Sequence, residues 1–74
     1  MNIIATIAAD STEYGIFRTN AFTNEDGERV QNFAAYYLKS GARFCGIEVV
    51  NGKGYATQSC DTGRRLAALA CKFA

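Results

Sequence analysis

The sequence predicts a single α+β domain of order ββαββα, a four-stranded antiparallel sheet with two helices packed on one face. Three observations predict it. Two segments, 30–38 and 66–73, carry apolar residues at helical spacing. The pair Asn51-Gly52 separates two strand-like runs, a strong signal for a two-residue hairpin. A run rich in isoleucine, alanine and threonine stands near the start, where β-branching suits a pleated strand.

Residues 2–9 form the first expected strand, with Ile3, Ala5 and Ile7 on one face and Ile4, Thr6 and Ala8 on the other. Both faces are fairly apolar, which predicts a central position. Asp10-Ser11-Thr12-Glu13 is a polar turn cluster, and Tyr14–Thr19 returns as the second strand. A helix then follows. Thr23 is its candidate N-cap, Asp26 completes a capping-box-like pattern, and Glu25 sits in the first turn. Val30, Phe33, Ala34, Tyr37 and Leu38 give it one apolar stripe, with Lys39 in the last turn and Gly41 as the stop.

Arg43–Val50 is the third expected strand and Lys53–Gln58 the fourth. The intervening turn sets Val50 opposite Lys53, Glu48 opposite Tyr55 and Ile47 opposite Ala56. Cys45, Ile47, Val49 and Ala56 then share an apolar face. Phe44, Glu48, Val50, Lys53, Tyr55 and Thr57 share the mixed one. A second helix runs from about Asp61, with Ser59 as candidate cap and Leu66, Leu69, Ala70 and Phe73 as its stripe. The two halves align as a candidate internal duplication, Thr23 with Ser59, Gly27 with Gly63, Arg29 with Arg65, Val30 with Leu66 and Phe33 with Leu69.

With 74 residues the chain is expected to be one domain, 1–74, with no linker or tail. The apolar fraction of 49%, with five phenylalanines and four tyrosines, suffices for a core. A net charge of +1 gives no strong field for steering a polyanion. There is no histidine, which removes the commonest general acid or base and the commonest metal ligand. Cys45, Cys60 and Cys71 are odd in number and lack C-x-x-C spacing, so they read as free thiols in a reducing compartment. No apolar run reaches the roughly 20 residues of a membrane span, and the first run has no basic flank for a signal peptide. The expected location is the cytoplasm of the host cell.

No nucleophile has a partner base in its pattern, and the carboxylates fall mostly in turns and first helical turns, so the chain is not expected to be an enzyme. No metal or cofactor is implied. Asn51-Gly52-Lys53-Gly54 lacks the spacing of a phosphate loop and reads as a hairpin tip. The aromatic-basic strand signature of an RNA-recognition motif and the Gly-x-x-Gly of a KH domain are absent.

The leading expectation is therefore a small protein-binding module. Its candidate contact residues are Tyr36, Phe44, Glu48, Val50, Lys53 and Tyr55, with Tyr36 pointing off its helix stripe as an interface anchor. In size and style alone such a chain is similar to virus-encoded inhibitors of host enzymes, anti-CRISPR proteins among them. The alternative is a nucleic-acid-binding module using Arg43, Lys53, Arg64 and Arg65, with Tyr55 stacking on a base. A homodimer through the open sheet face or an edge strand is compatible with either.

Overall fold

A computed structural model describes residues 2–74. Five antiparallel strands, β1 (Ala5–Ala9), β2 (Thr12–Thr23), β3 (Arg29–Tyr37), β4 (Arg43–Val50) and β5 (Lys53–Ala56), precede one helix, α1 (Asp61–Cys71). The strands are neighbours in chain order, β1-β2-β3-β4-β5. The sheet curls into a half-barrel, and α1 lies across its inner side, touching β4, β5 and, from the far end of the sheet, β1. The four-stranded, two-helix architecture is thus corrected to five strands and one helix.

The expected first helix is β3. Its would-be cap region, Asn24-Glu25-Asp26-Gly27-Glu28, is a hairpin loop. The Gly27 N–H donates to the Asn24 carbonyl at 3.0 Å, and the Asn24 N–H donates to the Glu28 carbonyl at 2.9 Å. Asn24 Oδ1 accepts from the N–H groups of Asp26 and Glu28 at 3.0 and 2.9 Å. Gly27 sits at φ 79, the left-handed position that closes a three-residue hairpin loop. The side chain of Asn24 thereby takes the backbone donors that a helical first turn would have left to Thr23.

The apolar spacing of Val30, Phe33, Ala34 and Tyr37 arises because β3 is the middle strand and buries residues on both of its faces. Phe33 and Ala35 face inward and Val30 and Ala34 outward, all of them buried. A strand buried on two faces reads as a continuous apolar run, which periodicity alone does not separate from a helix. With that helix gone, the candidate duplication is gone as well. The first strand is also relocated: β1 is an edge strand, joined to β2 by a two-residue turn at Asp10 and Ser11, both with positive φ. Strand β2 runs well past Thr19 to Thr23, through a bulge between Arg18 and Ala21.

The second half follows the sequence closely. Asn51 and Gly52 both take positive φ, 52 and 76, as a type I′ turn requires. Val50 pairs with Lys53, Glu48 with Tyr55 and Ile47 with Ala56. Strand β5 stops at Ala56 rather than Gln58. The helix cap is Cys60 in place of Ser59, its Sγ accepting from the Gly63 N–H at 3.4 Å.

Inside the half-barrel the register stacks Ile7 beside Tyr14 and Tyr37, Ala5 beside Ile16, Ala35 and Cys45, and Phe33 beside Ile47 and Ala56. Leu66, Ala67 and Ala70 of α1 close this core. The helix can lie so close because of two glycines, Gly54 beneath it and Gly63 in its own first turn. A Cβ at Gly54 would stand 2.6 Å from the Ala67 carbonyl oxygen, and one at Gly63 would overlap the carbonyl oxygen of Gln58. Arg18 ties the end of the helix back to β2, donating from Nε and Nη2 to the Phe73 carbonyl at 3.0 and 2.7 Å.

Candidate functional site

Among the described residues no helix or strand lies over the outer face of the sheet, where Ile3 and Leu38 cover only the Gly15 end, and a groove of about 640 Å³ lies across it. Its floor is Ala34 and Gly46, cross-strand partners with little or no side chain. One wall is the ring pair Phe17 and Tyr36, stacked with centroids 5.2 Å apart and an interplanar angle of 26°. They meet because Phe17 lies opposite Ala34 on β2, and Tyr36 stands two residues beyond Ala34 on β3, on the same face. Tyr55 of β5 forms the opposite side and is 58% exposed, the most exposed large apolar side chain among the described residues.

Polar groups are set between these walls. Arg43 swings over Gly46: a Cβ there would stand 2.8 Å from Arg43 Nη2. Glu48 and Asn32 are cross-strand partners, and Asn32 Nδ2 donates to Asn20 Oδ1 at 3.2 Å. Thr57 Oγ1 accepts from the Gly46 N–H at 3.0 Å. The groove therefore offers one cation, one carboxylate, two amides and three aromatic rings. Among the described residues the sole ion pair is Arg64–Asp61, on the helix, so neither Arg43 nor Glu48 is engaged in one.

Of the sequence-predicted contact residues, Tyr36, Glu48 and Tyr55 line this groove. Val50 shares the outer face but lies beyond it, opposite Val30, and Lys53 stands at the adjoining hairpin end. Phe44 is corrected. A bulge in β4 sets Tyr36 opposite Arg43 and Ala35 opposite Cys45, leaving Phe44 unpaired. Its ring turns to the inner side against Tyr14 and Tyr37, with centroids 5.0 and 5.4 Å away. The four cations of the nucleic-acid alternative are dispersed. Arg43 is on the outer face, Lys53 at a hairpin, and Arg64 and Arg65 on exposed positions of α1.

Phe17, Asn20, Ala34 and Gly46 enter the site unannounced by the sequence reading. Their signal was the Asp26-Gly27 pair, which marks a hairpin and with it a third strand running through Asn32, Ala34 and Tyr36.

The cysteines make no cluster. Cys45 is buried, Cys60 exposed and Cys71 between the two. Burial pushes the Cys45 thiol up, and the nearby Cys60 adds to the rise. Burial likewise raises the Tyr14 hydroxyl, with a further contribution from Tyr37. Both groups are held neutral at ordinary pH. Among the described residues no group of three or more Cys, Asp or Glu side chains is placed to hold a metal ion, and no helix is long and apolar enough to cross a membrane. No protein-family model, curated protein or solved structure matches the chain.

Proposed function

We propose that the chain is a small protein-binding module whose contact surface is the outer face of the sheet. The observation that carries this reading is Tyr55, 58% exposed beside a groove walled by the stacked Phe17 and Tyr36. Rigid aromatic anchors next to an unpaired guanidinium are the composition in which interface hot spots concentrate. Tyrosine suits this position because it adds a large contact area with few rotors and keeps a polar end for water or a partner. The near-neutral balance of charge, +1 for the chain, supports a protein partner over a polyanion.

Affinity capture from a lysate of the native cell, with mass spectrometry before and after nuclease treatment, tests it. The expected result is a stoichiometric protein partner that survives nuclease and is lost with Tyr55→Ala. Recovery of nucleic acid, lost with Arg64→Ala, would replace this reading by the alternative one. A captured enzyme whose activity falls on binding would extend the module to an inhibitor.

A further inference from the structure

A second surface, which meets the outer groove at Tyr55 and Ala56, lies along the free edge of β5. The Asn51-Gly52 turn makes Val50 and Lys53 the closing pair of a two-residue hairpin, and such a pair exchanges both of its backbone hydrogen bonds. The alternation then points Lys53, Tyr55 and Thr57 toward β4, and the Thr57 N–H does donate to the Gly46 carbonyl at 2.9 Å. Gly54 and Ala56 therefore direct their N–H and C=O groups away from the sheet, where no described strand pairs with them. Exposed edges are normally blunted by shortness, lysine, proline, a bulge or a cover; β5 has the first two, being four residues long with Lys53 at its start. There is no proline in the chain, and the β4–β5 register runs without a shift.

Beside this edge runs a groove of about 590 Å³, bounded on the inner side by Ala67, Ala68 and Cys71 of α1. The helix runs antiparallel to β5: Gly54 lies against Ala67 and Cys71, and Gly63 lies near Ala56 and Gln58. Lys53 and Arg64 consequently stand at opposite ends of the groove. Both line it, and no carboxylate does. Arg64 holds Asp61, but the two side chains are 68% and 91% exposed, so water screens the pair and the guanidinium can turn to a new carboxylate.

We propose that this edge takes an acidic polypeptide segment as a sixth strand, its backbone paired with Gly54 and Ala56 and its acidic side chains meeting Lys53 and Arg64 at the two ends. Main-chain pairing supplies the general attraction, and the end charges select the sequence. Small side chains on α1 leave room for the inward-facing residues of the added strand. A second copy of the chain would bring the same cations to the joint with no carboxylate lining it, so charge favours an acidic partner over self-pairing.

The test uses ¹⁵N-labelled protein and two short synthetic peptides with a common valine-threonine-valine centre, one flanked by glutamate pairs and the other by lysine pairs. The glutamate peptide is expected to shift the amide signals of Gly54 and Ala56 while those of Phe17 and Tyr36 stay in place. The lysine peptide is expected to bind at least roughly fivefold more weakly, as is the glutamate peptide to Arg64→Glu or Lys53→Glu protein. N-methylation of the peptide amides that face β5 should abolish binding. Ala68→Trp, at an exposed helix position, should block the groove without disturbing the core.

Equal binding of both peptides, or silence at Gly54 and Ala56 with millimolar glutamate peptide, would overturn the proposal. So would shifts at these amides that depend on protein concentration with no peptide present, which would assign the edge to a second copy. Displacement of the glutamate peptide by a single-stranded oligonucleotide at far lower concentration would assign it to nucleic acid. Shifts confined to Phe17, Tyr36 and Asn32 would reject the edge while leaving the outer-groove reading intact.

Discussion

Phe33, Ile47 and Val49, on the inner side of the sheet, are each no more than 3% exposed, whereas Tyr55, on the outer side of β5, is 58% exposed. Both sides carry aromatic rings, so apolar content does not tell them apart. The difference is cover. The inner side is closed by α1, which fits against the sheet only because Gly54 and Gly63 lack side chains. The outer side keeps its rings in order by stacking Phe17 on Tyr36 and sets Arg43, Glu48 and the Asn20–Asn32 pair between them. The residues packed under α1 and the exposed side chains of the outer groove are thus different sets, with buried Ala34 as the floor of the groove.

The largest expected effect comes from the inner side. Phe33→Ala should cost about 3–5 kcal/mol, enough to unfold much of so small a domain, as read by urea titration. A stable Phe33→Ala variant would break the division between the faces at its base. Next come the glycines at the helix contacts, Gly54 beneath α1 and Gly63 within it. Gly54→Ala and Gly63→Ala should each cost roughly 1–3 kcal/mol through forced displacement of α1, measured as a fall in Tm. An unchanged Tm in both would mean that the helix is not seated where the core requires it.

A smaller effect follows from Cys45 and Tyr14. Each is an acid whose pKa is raised in the fold, so each favours the fold while both states are neutral. Their contribution is whole below the unfolded-state pKa and is lost as the unfolded chain ionises, from about pH 8.5 upward for the thiol. Thermal melts should therefore show Tm falling between neutral pH and pH 10, by less in Cys45→Ala. The smallest effect is expected outside: Tyr55→Ala should change stability by no more than about 0.5 kcal/mol, while Tyr36→Ala loses about 0.5–1.5 kcal/mol of stacking on Phe17.

The two hairpins explain which parts of this fold were legible in the sequence. Asn51-Gly52 between alternating strands has one reading, and it fixed the register of β4 and β5 residue by residue, placing Glu48 and Tyr55 side by side on one face. The Asn24–Glu28 loop carries an equally good signal in Asp26-Gly27, but Thr23, Glu25 and Asp26 also resemble a helix start. The central position of β3, apolar on both sides, then supplied a false helical stripe through Val30, Phe33, Ala34 and Tyr37. Half of the outer groove was lost with that strand. Phe44 was misplaced for a different reason: a bulge reverses the facing of a residue, and nothing in the local alternation announces it.

Photo-crosslinking tests the outer face most directly. p-Benzoylphenylalanine is placed at Tyr55 in one preparation and at Arg65, on the helix side, in another, and each is irradiated in a lysate of the native cell. The account predicts a discrete protein adduct from the Tyr55 position, unchanged by nuclease and absent when the probe is at Arg65. An adduct from Arg65 alone, or one that disappears on nuclease treatment, would contradict it.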